Sequence, residues 1–187
     1  MRTTIRKKIA IMLAVAGTML LLSSGVAFAV QVINCENGKA CNGTAKSDSM
    51  RGTRAANEMN GRESRGVMVG DYGKDTMHGA PGRDTVRGGY DGDNLFGEDG
   101  NDILAGQNGK DTINGGPGND TIGAGGGDDI VLANDGELDS ISCGLGTDVV
   151  FVDQEDLDAE NTNFQDFVRL TSCETINEPE TQVNPSE

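Results

Sequence analysis

A single histidine, His78, occurs in this chain of 187 residues, and that scarcity removes several chemistries at once. No His-Glu-x-x-His is present to hold a catalytic zinc, no Gly-x-Ser-x-Gly elbow presents a nucleophile, and Gly73-Lys74 and Gly109-Lys110 lack the upstream glycine of a phosphate loop. His78 falls where its side chain should point outward, which suits a surface histidine better than a catalytic one. Basic residues are scarce too: 15 Lys and Arg face 30 Asp and Glu, for a net charge of −15. That excludes the basic patches that grip nucleic acid and opposes binding to anionic membranes. The four cysteines include no Cys-x-x-Cys pair, which argues against structural zinc. The sequence therefore predicts a protein that is not an enzyme.

What the chain does contain is a period. From Gly43 to Leu132 it repeats every nine residues without an insertion or deletion. Glycine opens the units at Gly43, Gly52, Gly61, Gly70, Gly79, Gly88, Gly97, Gly106 and Gly115, and Ala124 opens the next. The sixth place holds Asp48, Asn57, Gly66, Asp75, Asp84, Asp93, Asp102, Asp111, Asp120 and Asp129. The eighth holds Met50, Met59, Met68, Met77, Val86, Leu95, Leu104, Ile113, Ile122 and Val131.

In a unit such as 106–114, the first six residues are turn formers, with glycines that tolerate positive φ and close backbone approach. Thr112, Ile113 and Asn114 suit a very short strand with one inward side chain. Such a strand buries its apolar residue only by stacking on neighbours. Two repeats then make one coil, and equivalent aspartates in successive coils lie roughly 5 Å apart. Two carboxylates at that spacing repel by about 0.8 kcal/mol even in water. Opposing this is one aliphatic side chain per unit, at most ~1.5–3 kcal/mol each, against about 1–2 kcal/mol of backbone entropy per ordered residue. Folding without help is disfavoured. A hard divalent cation would neutralise the facing carboxylates and use the turn carbonyls. Oxygen ligands in a flexible frame favour calcium over zinc or magnesium.

The pattern resembles the nonapeptide repeat of the RTX, or haemolysin-type calcium-binding, family, with its G-G-x-G-x-D-x-U-x motif. Residues 70–132 carry the resemblance, as in Gly-Asp-Tyr-Gly-Lys-Asp75, Gly-Glu-Asp-Gly-Asn-Asp102, Gly-Gln-Asn-Gly-Lys-Asp111 and Gly-Gly-Pro-Gly-Asn-Asp120. It implies an all-β fold, a parallel β-roll with calcium held between the turns of alternate repeats. Asp75, Asp84, Asp93, Asp102, Asp111, Asp120, Asp129 and Asp148 are the expected calcium ligands, together with turn carbonyls. In units 43–69 the fourth-place glycine is missing and only Asp48 keeps the carboxylate, so weak or absent sites are expected there. One extra residue follows Leu132. The period resumes at Asp139, a doubtful ligand, and at Asp148 within Cys143-Gly-Leu-Gly-Thr-Asp148.

Residues 1–29 read as an export signal: Arg2, Arg6, Lys7 and Lys8, an apolar run from Ile9 to Leu22, and the small-x-small site Ala27-Phe28-Ala29. Its removal takes four of the 15 basic residues and no acidic one, leaving a net charge of −19. A retained anchor is the competing reading, since Ile9 to Val30 is long enough to span a bilayer. Four cysteines after the signal argue for disulfides. Of the three possible pairings, Cys35–Cys41 with Cys143–Cys173 places one staple at each end of the array, where a solenoid needs caps. The expected layout is a signal over 1–29, a cap over 30–42, the roll over 43–150, a second cap over 151–176 and a disordered tail over 177–187. The predicted function is that of a secreted, bacterial calcium-binding protein that folds after export. The competing reading is a calcium-stabilised surface adhesin using outward Tyr72, Tyr90 and Phe96. An ice-binding face is disfavoured, because Asn94, Ile103 and Ile130 interrupt the seventh-place threonines.

Overall fold

The computed structural model describes residues 30–36, 39–152, 173 and 175–177. The expected export signal of 1–29, most of the expected C-terminal cap and the tail beyond 177 lie outside the described residues.

The described chain is an all-β solenoid built from two parallel sheets. One sheet stacks β1 (Gln31–Asn34), β3 (Asp48–Arg51), β5 (Val67–Tyr72), β7 (Thr85–Tyr90), β9 (Ile103–Asn108), β11 (Thr121–Gly126) and β13 (Ser140–Leu145). The other stacks β2 (Ala40–Asn42), β4 (Glu58–Asn60), β6 (Thr76–His78), β8 (Asn94–Phe96), β10 (Thr112–Asn114), β12 (Ile130–Ala133), β14 (Val149–Val152) and β15 (Thr175–Asn177). Successive strands therefore alternate between sheets, and each pairs with the strand one coil away. Met77 pairs with Leu95 and Val86 with Leu104, a separation of 18 residues, or two repeats.

The two sheets are not equal. Most strands of the β2 sheet cover only the three residues from the seventh to the ninth place. Those of the first sheet, from β5 onward, run six residues into the next unit. The sequence had suggested equally short strands on both sides. The register changes where the spacing changes. The extra residue after Leu132 makes Ile122 pair with Ile141 and Val131 with Val150, one residue beyond the regular offset.

Between the sheets lies a single file of side chains from the eighth place of every unit. Met50, Met59, Met68, Met77, Val86, Leu95, Leu104, Ile113, Ile122, Val131, Ile141 and Val150 are all 2 % exposed or less. Each contributes on the order of 1.5–3 kcal/mol by leaving water. The core is one side chain deep, so no unit is stable without its neighbours.

The ends are closed by the disulfides Cys35–Cys41 and Cys143–Cys173, each with 5.3 Å between Cα atoms. The first staple lies inside the solenoid rather than outside it. Cys41 pairs with Met59 and Ile33 with Met50, so β1 and β2 stack directly on the strands of the roll. At the far end β14 carries the roll through Phe151 and Val152, and β15 adds to its outer edge.

Candidate metal centre

The sixth place is where the turn meets the strand, and the coil stacking turns it into two buried ladders. Asp75, Asp93, Asp111, Asp129 and Asp148 form one, at the start of β6, β8, β10, β12 and β14. Asp84, Asp102, Asp120 and Asp139 form the other, on the opposite sheet. All nine are 2 % exposed or less.

Within each ladder one carboxylate oxygen is committed to the backbone. The amide of Asp75 donates to Asp93 Oδ1 at 2.8 Å, Asp84 to Asp102 at 2.7 Å, Asp93 to Asp111 at 2.8 Å, and Asp102 to Asp120 at 2.7 Å. Asp111 donates to Asp129 at 2.8 Å, Asp120 to Asp139 at 2.8 Å and Asp129 to Asp148 at 2.9 Å. The carbonyl of the same residue accepts the first strand amide of the next coil, as when Asn94 N–H donates to Asp75 at 2.8 Å. Each aspartate thus locks one coil to the next and keeps its place in the column.

The other oxygen is left over. Oδ2 of Asp75, Asp84, Asp93, Asp102, Asp111, Asp120, Asp129 and Asp148 is buried with no hydrogen-bond partner. A buried carboxylate oxygen without a partner costs several kcal/mol in the charged state. The first-place glycine explains where these oxygens point. A Cβ added to Gly70 would come within 3.0 Å of both Asp75 Oδ2 and the Gly88 carbonyl. The same holds at Gly88 with Asp93 and Gly106, at Gly97 with Asp102 and Gly115, and at Gly106 with Asp111 and Ala124. A carboxylate oxygen of one coil and a carbonyl oxygen of the next therefore converge beside each of these glycines.

This environment resists ionisation. Burial pushes Asp84, Asp93 and Asp120 up to about 7, and Asp75, Asp102 and Asp111 up to about 6, from an ordinary 3.8. Asp129 rises for the same reason. The amide hydrogen bond pulls each value back, and neighbouring carboxylates push it further up. What lowers the energy of such a column is positive charge delivered to Oδ2. Among the described residues no three His, Cys, Asp or Glu side chains converge on one point. An ion bound here must therefore take backbone carbonyls as ligands as well. That donor set is all oxygen and flexible, which suits calcium.

A family model described as the RTX calcium-binding nonapeptide repeat, in four copies, matches residues 69–104 and 105–137. Residues 69–137 thus match RTX calcium-binding repeats. No curated protein and no solved structure matches it. Calcium is the ion in that family's description, and the orphaned Oδ2 atoms and converging carbonyls fit it.

The structure brings all eight sequence-predicted positions, Asp75 to Asp129 and Asp148, into these two ladders. It adds Asp139, which the sequence left in doubt. The extra residue after Leu132 hides its register, yet it stands in the ladder below Asp120. The RTX match begins only at residue 69, and the turns before it are built differently. Gly66 has no side chain, and a small cavity lined by Lys46, Asp48, Ser64 and Asp84 lies beside it. The outward aromatics pack on each other: Tyr72 stacks on Tyr90 at 4.7 Å, and Phe96 on His78 at 4.6 Å. His78 Nδ1 lies 3.0 Å from Glu98 Oε1 on the surface, and the charge of Glu98 adds to the upward shift of Asp84 and Asp102.

Proposed function

We propose that this protein is an exported, non-catalytic RTX roll in which calcium completes the fold after the chain has left the cell. Asp75, Asp84, Asp93, Asp102, Asp111, Asp120, Asp129 and Asp148 hold the ions through Oδ2, with first-place carbonyls such as those of Gly88 and Gly106 as co-ligands. The observation that carries this reading is the row of buried Oδ2 atoms without partners. Bound calcium supplies the positive charge that lets both ladders ionise inside the protein.

Export is supported by the basic, apolar and small-x-small segments of residues 1–29, and by two disulfides, which persist in oxidising compartments. With a mature charge of −19 and a core one side chain thick, the calcium-free chain stays soluble and expanded. Such a chain suits a secretion route that passes unfolded polypeptides. Residues 30–42 and 151–176 act as stapled caps on the roll.

The test is circular dichroism of the mature, oxidised protein during a calcium titration, with magnesium as control. A cooperative gain of β-structure with calcium alone is expected. A spectrum already rich in β-structure in chelator, and unmoved by calcium, refutes the folding role.

A further inference from the structure

The two units that open the repeat array, 43–51 and 52–60, close their turns by a different device from the units that follow. In the first, both the amide and the hydroxyl of Thr44 donate to Asp48, the hydroxyl at 3.0 Å to Oδ1 and the amide to Oδ2. In the second, Thr53 donates its amide to Asn57 Oδ1 at 2.7 Å and its hydroxyl to the same atom at 3.1 Å. Each threonine hydroxyl also accepts an amide from the fourth place, Lys46 at 3.3 Å and Ala55 at 3.2 Å. A serine or threonine that binds backbone two residues on builds a turn of its own.

That arrangement replaces two features of the later units. The hydroxyl holds the turn that a fourth-place glycine makes elsewhere, at φ +97° in Gly73, +143° in Gly109 and +140° in Gly118. The amide and hydroxyl of Thr44 together give both oxygens of Asp48 a partner, whereas elsewhere Oδ2 is left orphaned. The second place differs accordingly. Asp71, Ala80, Glu98 and Gln107 adopt positive φ of 69–81°, whereas Thr44 and Thr53 do not. Missing glycine, added threonine and satisfied carboxylate are thus one substitution of turn type. Asn57 goes further, since its buried Nδ2 is a donor without a partner and repels a cation.

We infer that Thr44 and Thr53 set the N-terminal limit of the calcium array, serving as built-in ligands that take the cation's place in the first two turns. The inference rests on the calcium reading above for its later units, while the threonine turns stand on their own geometry. It turns the apparent decay of the repeat into a graded cap. The first coils are held by a disulfide and two hydroxyls, and the ion-dependent coils stack on them.

The test combines ion counting by native mass spectrometry with hydrogen exchange on the oxidised mature protein in calcium. Asp48→Asn is expected to leave the ion count unchanged, whereas Asp102→Asn lowers it by at least one. The double variant Thr44→Ala/Thr53→Ala should keep the wild-type count, yet speed exchange at residues 44–57 by about tenfold or more. The matching Thr→Ser pair, which retains both hydroxyls, should restore protection. A lower ion count in Asp48→Asn, or unchanged exchange in the double alanine variant, overturns the inference. An ion count of zero in the wild type sinks the calcium reading instead, and leaves the exchange comparison to judge the threonine turns alone.

Discussion

Replacing Asp111 by Asn should change the sign of its effect with the presence of calcium. The substitution keeps an oxygen to accept the Asp93 amide, now made at 2.8 Å, and exchanges the orphaned Oδ2 for a neutral NH₂. Burial raises Asp111 from 3.8 to about 6, so above that pH the calcium-free fold carries a charge it does not solvate. At about 1.4 kcal/mol per tenfold change, that penalty is at most about 3 kcal/mol at pH 8, and solvent screening makes it smaller. Asp111→Asn removes it, and should stabilise the roll in chelator at pH 8 but only about half as much at pH 5, where the folded carboxyl is protonated while the unfolded one is still ionised. In calcium the same change deletes a charged ligand, and the calcium midpoint should rise about tenfold, or ~1.4 kcal/mol. The assay is thermal unfolding followed by circular dichroism at both pH values, with sucrose added to the chelator samples to populate the fold. Destabilisation in chelator at pH 8, or a benefit equal at both pH values, would refute the reasoning that Oδ2 is a buried charge awaiting a cation.

The same pKa shifts predict how the calcium-free roll responds to pH. Because the folded values of Asp75, Asp84, Asp93, Asp102, Asp111 and Asp120 lie above their ordinary 3.8, their contribution is fully present below pH 3.8 and is lost as pH rises through 6 to 7. The melting temperature in chelator should fall from pH 5 to pH 8, and calcium should reverse that order. A pair of glycine substitutions tests the coil stacking independently of the metal. Gly100 sits at φ +141° with the Gly82 carbonyl only 1.5 Å from where a Cβ would lie, though Gly123 has open space around it. Gly100→Ala should cost several kcal/mol and Gly123→Ala no more than about 1 kcal/mol either way, read from melting temperatures in calcium.

The nine-residue period was legible because it is local. An aspartate at the sixth place and an aliphatic at the eighth recur whatever the coils do, and together they dictate a solenoid with a carboxylate column and an apolar column. The disulfide pairing followed from the position of each cysteine relative to that period, and Cys35–Cys41 and Cys143–Cys173 stand as expected. Other features depend on contacts between residues 18 or 19 apart, which no single unit encodes. Asp139 joins its ladder only because the turn between β12 and β13 takes up the extra residue and leaves the strands in register. The partition of each carboxylate into a bonded Oδ1 and an orphaned Oδ2 requires the coil before it to supply an amide. The bonds from Thr44 to Asp48 and from Thr53 to Asn57 were not legible, because hydroxyl and side-chain oxygen meet only once the turn has formed. The sequence by itself determined the repeat, its charge and its staples, since these are written in spacing and composition. Which buried oxygens are left orphaned and which are satisfied was decided by the tertiary structure, because their partners come from the neighbouring coil in the ladders and from the closed turn at Asp48 and Asn57.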